Sequence, residues 1–508
     1  MTGSVFRLDA VAERLAARGL LRGRAGGDAE LSGISDDSRA IAPGDLFCAW
    51  KGTLADAHDF AGAAVSAGAA ALLVERALDG LDVPRVVVSD GRRAAAHAAA
   101  LVHGDPGDAL TLAGVTGTNG KSTTVSILQH LLGPDAASIG TLGVRGKGAA
   151  LVPDSGLTTP GPVGLAEALA RLRDGGVRAV AMEVSSHALE QGRVDALGFD
   201  VGAFTNLSRD HLDYHGDDAD YRAAKLRLLD LLRPHGIAVF NADDPAWREI
   251  DERGGRRLSF SIAGSDASVC AEDVRTHGAG AGFRLVAPAG SWPVKLPLLG
   301  AFNVENALAA ATCALALGRD GSEVAARLGS TPQTPGRLER IATTPCPVLR
   351  DYAHTPAALE RALDALRPLV EGRLIVVFGA GGDRDRGKRP EMGRVVQRLA
   401  DLAIVSSDNP RGEDPERILD DIIAGMEPGF LREADRREAI RAALRTARAG
   451  DLVLLAGKGH ETYQVVGTDR VPFDEKVIVA ELVREGAGPG RAARERPLAA
   501  NGPGGGDR

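Results

Sequence analysis

Cysteine is scarce in this 508-residue chain: Cys48, Cys270, Cys313 and Cys346 lie far apart, with no CxxC pair. That spacing supports neither a disulfide framework nor a structural zinc site. No apolar run approaches the ~18 residues a membrane span needs. The opening MTGSVFRLDAVAERLAARG reads as a short amphipathic helix rather than the apolar core of a signal peptide. Positive charge is not in excess either, since 60 Lys and Arg stand against 68 Asp and Glu, a formal net charge of −8. Without a basic footprint, nucleic acid is not the expected partner. Small anions remain open, because local clusters rather than totals decide their binding. No repeat of 20–50 residues is visible. A soluble, reduced, cytoplasmic chain without membrane insertion is expected.

What is present is alternation. Short apolar runs separated by helix-period segments give the pattern of parallel α/β architecture. At this length about three domains are expected. Residues 1–109 hold the strand-like runs DLFCAW, ALLVE and RVVVSD, and GDPGD at 104–108 reads as a linker. Residues 110–334 open on LTLAGVTG and continue through RAVAMEV, VGAFTN and GIAVFNADD. Within them, 257–300 carry shorter alternating runs with no helix between, read as a small antiparallel patch. TPQTPGR at 331–337 marks the second boundary. Residues 335–485 form a C-terminal Rossmann-like α/β domain. Its units VLRDYAHTP, RLIVVFGAGG, DLAIVSSDNPR and DLVLLAGKGHE put polar residues just after apolar strands, where open α/β sheets bind ligands. The Gly/Pro/Arg-rich tail 486–508 is expected to be disordered.

LAGVTGTNGKST, Leu112 to Thr123, has the makings of a phosphate loop between a strand and the helix STTVSILQHLL. Gly117 and Gly120 allow tight turns that aim backbone N–H groups at phosphate oxygens, with Thr118 and Asn119 between them. Lys121 can reach the β- and γ-phosphates, the Ser122 hydroxyl can sit on Mg²⁺, and Thr123 continues the helix N-terminus that favours anions. The spacing departs from a plain Walker A motif: Val115 occupies the place of its first glycine, and Gly114 lies one residue earlier. A central P-loop parallel-sheet domain binding ATP or GTP is the expectation.

Phosphoryl transfer needs cations, so their ligands should lie at the ends of neighbouring strands. Glu183 in AMEVSSH can bind Mg²⁺; it equally reads as a cap for the next helix. SRDHLDYHG packs Asp210, His211 and Asp213 into one loop. It reads as a metal loop or as a polar turn, and imidazole is an unusual partner for a hard cation. Lys225 reads by itself as an ordinary lysine on a helix surface.

GTNGKS, EVSSH, NLSRDHLDYHG, YRAAK, DYAHTP, GGDRDRGKR, DNPR and GKGHE, in this order, make residues 30–484 resemble the bacterial Mur ligases. The resemblance implies an ATP-dependent, ADP-forming amide ligase of peptidoglycan precursor synthesis. In its reaction ATP phosphorylates the side-chain carboxylate of UDP-N-acetylmuramoyl-L-alanyl-D-glutamate, and the amine of meso-2,6-diaminopimelate attacks the acyl phosphate. It implies a carbamylated Lys225 (N6-carboxylysine) that, with His211 and Glu183, holds one Mg²⁺, while Ser122 and the nucleotide phosphates help hold another. Lys121 joins these as a catalytic residue. A monomer is expected.

By the same resemblance the UDP-muramoyl dipeptide meets Asp36 and Ser38 of DDSR, then Thr53, Leu54 and Ala55. It also meets Thr158, Thr159, Ser185, Gln191 and Arg193. ATP meets the phosphate loop together with Asn303, Asn306, Arg337 and Asp351. Diaminopimelate meets Arg384, then Asp408, Asn409, Pro410 and Arg411 of DNPR, then Gly457 and Glu461 of GKGHE. The distal end of diaminopimelate carries an ammonium and a carboxylate, whereas lysine carries only the ammonium, so a selective pocket needs an arginine clamp. DNPR also reads as an Asn-Pro turn with a solvated Arg411, and Arg193 as a surface arginine. Three rivals are a lysine-adding ligase, which Arg411 opposes, a folylpolyglutamate synthase-like ligase, which the N-terminal DDSR domain opposes, and a nucleotide-dependent switch without an amino-acid pocket.

Overall fold

Continuous apolar runs such as LIVVF and LVLLA suit strands buried on both faces, the mark of a parallel sheet covered by helices. In the computed structural model they take that place: Leu374–Phe378 and Leu452–Ala456 are buried throughout. The structure describes residues 6–486, apart from 53–54, 79, 154, 253–254 and 265. Thr53, Leu54, the side chain of Asp213 and the tail from residue 487 lie outside the described residues. The chain divides into two compact units, 1–334 and 335–508.

The first unit contains two main sheets. A five-stranded sheet runs in the order Leu21–Ala25, Arg85–Val88, Ala71–Val74, Asp45–Cys48, Gly33–Ser35, parallel except at its first pair. Helices Leu8–Ala17 and Gly91–Val102 bury their alanine and leucine faces against it. A ten-stranded sheet follows, with Thr111–Thr116 near its middle, between Ala179–Glu183 and Phe199–Phe204. From Thr111–Thr116 the chain first builds Ala136–Gly140 on one side, then crosses to Phe199–Phe204 on the other. The order therefore reverses beside this strand, and ligands bind α/β sheets at such reversals. Register places Glu183 opposite Val115 and Phe204 opposite Thr116, so three chain segments leave the sheet at one edge.

The stretch 257–300 differs from its expectation in one respect. Arg256–Ser261 pairs in parallel with Leu232–Asn241, and only Val269–His277, Gly280–Ala287 and Gly290–Leu296 meander antiparallel. These strands extend the central sheet rather than forming a separate patch. Helix Ala301–Ala316, apolar on nearly every face, returns from this edge into the same core as helix Lys121–Leu132.

The second unit has a six-stranded sheet in the order Glu339–Ala342, Val348–Asp351, Leu452–Ala456, Leu374–Phe378, Leu402–Val405, Leu431–Arg432, parallel after the first pair. The carboxyl ends of its parallel strands deliver Asp351, Gly457, Gly379 and Ser406 to one edge.

Candidate functional site

The phosphate loop is held from three sides. Gly117 and Gly120 have φ of +145° and +85°, a region L side chains rarely adopt. A Cβ on Gly117 would strike Thr205 Oγ1, and one on Gly120 would strike Asn306 Oδ1. Asn306 Nδ2 in turn donates to Asn303 Oδ1 at 3.0 Å, and Asn303 Nδ2 to the Leu299 carbonyl at 2.8 Å. The helix carrying the expected adenine contacts is thereby locked onto the loop. On the other side, Thr118 N donates to the Asn206 carbonyl at 2.7 Å, and Asn119 N to Asn206 Oδ1 at 3.0 Å. Ser208 N donates to Thr118 Oγ1 at 2.9 Å. The segment that begins SRDHLDYHG is therefore stapled to the phosphate loop. Lys121 Nζ folds back to the carbonyls of Gly117 and Thr118, 2.9 Å each, while Ser122 and Thr123 stand in the first turn of helix Lys121–Leu132, the end whose dipole favours an anion.

Lys225 is not a surface lysine. Helix Asp218–Leu226 turns it inward to 1% exposure, with Nζ donating to the Gly117 carbonyl at 2.9 Å and lying 4.2 Å from the centre of the Tyr221 ring. Burial, reinforced by the Lys121 cation, pushes its amine well below the ordinary lysine range, and Asp210 opposes the shift weakly. Tyr221, four residues earlier on the same helix face, also reaches Thr118 Oγ1 with its hydroxyl at 3.2 Å.

Glu183 is buried at 2% exposure, and its carboxylate accepts from Thr141 N at 2.8 Å and Thr141 Oγ1 at 3.2 Å. The helix-cap reading is excluded, because Ser185 caps Ser186–Glu190 by accepting from Ala188 N. The expected dipeptide contacts gather here. Thr158 Oγ1 lies 3.0 Å from Thr141 Oγ1, and Thr159 Oγ1 donates to the Glu183 carbonyl at 2.8 Å. Arg193 donates to the Thr159 carbonyl at 2.9 Å and to Gln191 Oε1 at 2.7 and 2.9 Å. It is not a free surface arginine. His211, at φ +53°, heads a one-turn helix, half-exposed, 3.5 Å from Asp210 and edge-on to His187 at 4.9 Å. Asp36 and Ser38 follow strand Gly33–Ser35, and Ala55 follows the undescribed Thr53 and Leu54.

Among the described residues no three His, Cys, Asp or Glu side chains gather as a metal site. A Mg²⁺ fits the donors that are present only if hydroxyl, nucleotide and modified-lysine oxygens complete the set. Glu183 can join them: among the described residues its two carboxylate oxygens accept hydrogen bonds from Thr141, so lone pairs remain for a cation.

In the second unit the acceptor candidates converge. Arg411, at φ +51°, donates through Nη1 to the Gly382 carbonyl at 2.9 Å and lies against Gly381, where a Cβ would displace its guanidinium, while Arg384 passes nearby with its aliphatic Cγ. Asn409 Nδ2 donates to Glu461 Oε2 at 2.8 Å, and Gly457 abuts Asp408. The two motif loops, followed through Pro410, are clamped by fully buried Arg389. It bonds Glu413 at 2.9 and 3.1 Å, Asp421 at 2.8 Å and the Gly381 carbonyl at 3.2 Å. Arg389 holds the Glu413 carboxyl down at about 2. Asp351 is buried and accepts from Leu338 N at 2.7 Å and Ala353 N at 2.8 Å, and the Arg337 guanidinium stacks 4.9 Å over Tyr352.

Sequence reasoning passed over Asn206, Ser208, Thr141, Tyr221, Arg389, Glu413 and Lys458. Tyr221 had a signal, its i, i+4 spacing to Lys225, and Lys458 lies inside GKGHE between two residues that were chosen.

Comparison with known proteins places this geometry in a lineage. Residues 30–104 match the Mur ligase family catalytic domain, 115–314 the Mur ligase middle domain, and 336–459 the Mur ligase glutamate ligase domain. The chain is 44% identical over 474 residues to the UDP-N-acetylmuramoyl-L-alanyl-D-glutamate–2,6-diaminopimelate ligase of Geobacillus kaustophilus (strain HTA426), covering 91% of this chain and 96% of that one. It is 46% identical over 470 residues to the protein of the same name from Xylella fastidiosa (strain 9a5c), covering 90% and 94%. A solved structure of a ligase of that name is similar with a TM-score of 0.65 and 36% identity, covering 90% of this chain and 95% of its own. The chain belongs to the Mur ligase family.

Proposed function

We propose that this ligase joins meso-2,6-diaminopimelate to UDP-N-acetylmuramoyl-L-alanyl-D-glutamate at the expense of ATP, as its relatives' names state for them. The observation that carries the choice of amino acid is the Arg411 guanidinium at Gly381, with Arg384 on the same motif loop and the Asn409–Glu461 pair in the same unit. The Arg411 guanidinium suits the distal carboxylate, with Arg384 on the neighbouring loop, and Glu461 suits the distal ammonium. A lysine acceptor would leave this clamp without its carboxylate.

In this reading residues 1–109 take the uridine-sugar moiety through Asp36, Ser38 and residues 53–55. Residues 110–334 take ATP, and 335–485 the amino acid. Thr158, Thr159, Ser185, Gln191 and Arg193 hold the dipeptide near Glu183. Asn303, Asn306, Arg337 and Asp351 serve the nucleotide. Glu183, His211, Ser122 and carbamylated Lys225 are the side chains that would hold Mg²⁺. When bound, the ion neutralises charge on the transferring phosphoryl group. Burial favours the neutral Lys225 amine; that form adds to CO₂ with loss of a proton, and the product is an anion compatible with a cation site. Lys121, released from its own loop carbonyls, then steadies the phosphates.

The glutamyl carboxylate oxygen attacks the γ-phosphorus and ADP departs. The amine nitrogen attacks the acyl carbon, and inorganic phosphate leaves as the amide forms. Alignment and charge stabilisation supply the catalysis. In this reading the enzyme works as a monomer in the cytoplasm, a reducing compartment that suits the free cysteines at 48, 270, 313 and 346; no helix among the described residues is long and apolar enough to cross a membrane.

The test is ATP-dependent phosphate release with the UDP-muramoyl dipeptide and meso-diaminopimelate, L-lysine or no acceptor. Release only with diaminopimelate is expected. Release with lysine alone overturns the amino-acid assignment, and release without an acceptor replaces the ligase by a nucleotide switch.

A further inference from the structure

Lys458 has no exposed surface, yet it belongs to a loop at the sheet edge where ligands bind. Its Nζ donates to Asn409 Oδ1 at 3.0 Å and to Glu461 Oε2 at 3.1 Å, and lies 3.9 Å from Asp408 Oδ1. An ammonium withdrawn from water persists only where acceptors replace its hydration shell. Here two of those acceptors are the residues assigned to the incoming amino acid. We infer that Lys458 is a positioning and specificity-determining residue for the acceptor: it fixes the orientation of Asn409 and Glu461 and sets the charge of their pocket. This rests on the ligase reading above.

The orientation follows from donor counting. Asn409 Oδ1 faces two donors, the Lys458 ammonium and Val465 N at 3.0 Å. Exchanging the amide oxygen and nitrogen would set N–H against both, so Nδ2 is committed toward Glu461 Oε2. One Nδ2 hydrogen is used there, and the second is left for an acceptor on a ligand. Glu461 Oε2 takes both Lys458 and Asn409, which leaves Oε1 for a ligand ammonium.

The charge argument is separate. Asp408 and Glu461 contribute two negative charges and Lys458 one positive, so the cluster carries about −1 with lysine and about −2 without it. A distal carboxylate is disfavoured more by the second cluster than by the first. A distal end bearing ammonium alone is not penalised. Removing Lys458 therefore lowers the preference for diaminopimelate over lysine, beyond any general loss of activity.

The full chain carrying Lys458→Met or Lys458→Gln is to be assayed beside the wild type for phosphate release, with both acceptors and with ATP varied, and with the thermal midpoint recorded. For Lys458→Met, loss of its two charge-assisted hydrogen bonds raises the KM for diaminopimelate at least about tenfold. The diaminopimelate-to-lysine ratio of kcat/KM falls and the KM for ATP is unchanged. Lys458→Gln keeps a donor for Asn409 but not the charge, so it restores part of the KM and none of the ratio. It also carries the selectivity test if the Met variant does not fold. An unchanged ratio in a folded variant, or equal losses with both acceptors, overturns the inference. A wild type inactive with either acceptor overturns the ligase reading instead.

Discussion

Gly120→Ala is a one-carbon change whose cost can be worked out from the loop. At φ +85° an L residue pays about 1–2 kcal/mol for the left-handed conformation. The new Cβ falls where Asn306 Oδ1 sits, so the amide must swing out. It then gives up its 3.0 Å bond to Asn303 and a 3.5 Å contact from Thr124 Oγ1, together about 1–2 kcal/mol. The total of about 2–4 kcal/mol corresponds to ATP binding weakened about 30- to 1,000-fold if the loop distorts to relieve it. Asn306→Ala removes the obstructing amide, so adding Gly120→Ala to it costs only the backbone strain. The pair should show a coupling of about 1–2 kcal/mol, against an additivity error of about 0.3–0.5 kcal/mol for independent sites. Titration calorimetry of the four proteins with a non-hydrolysable ATP analogue measures it, with thermal unfolding as the control. Additive costs, or wild-type affinity in Gly120→Ala, refute the lock between loop and helix.

Lys225→Ala should lower ligation at least about 100-fold, and formate or acetate should restore part of it by supplying the missing carboxylate; full activity without additive would remove the carbamate role. Arg411→Ala should raise the diaminopimelate KM about 10- to 150-fold, the worth of one hydrogen bond to a charged group, with little change in ATP KM; an unchanged acceptor KM defeats the clamp. Arg389→Met should cost about 3 kcal/mol, the low end for a broken buried pair, because Glu413 keeps Arg386 at 2.9 Å and Asp383 N at 2.6 Å. Calorimetry should show the melting point down by about 6–12 °C. Because the Glu413 carboxyl is depressed from 4.5 to about 2, its stabilisation is present above pH 4.5 and lost as pH falls toward 2. The gap between Arg389→Met and wild type should therefore narrow in that window, and a constant gap contradicts the pairing.

The strands that were legible are those with long aliphatic runs, such as LIVVF, where one pattern admits one reading. Ala136–Gly140 was not: AASIG carries one large apolar side chain, and its strand identity comes from neighbours on either side. The strand Arg256–Ser261 shows the same limit, since alternation does not reveal whether its partner runs parallel. At the site, motif residues announce themselves by type, but Lys225 does not. Its helix pattern is that of any amphipathic surface, and only the fold shows that the face carrying Tyr221 and Lys225 turns toward Gly117. Arg389 and Lys458 were hidden for the same reason: a charged residue reads as solvated until its partners, 24 and 49 positions away in sequence, are known.

The lock on Gly120 also has a timetable. The loop is translated near residue 117, but Asn306 leaves the ribosome 189 residues later. At about 5–20 residues per second that delay is roughly 10–40 s. During this interval strand Thr111–Thr116 also waits for its partners at 179–183 and 199–204. The nascent chain thus carries a glycine-rich segment that still lacks the side chain packed against Gly120. That side chain arrives with helix Ala301–Ala316, so nucleotide retention on stalled chains of increasing length would date the docking of this helix on the loop.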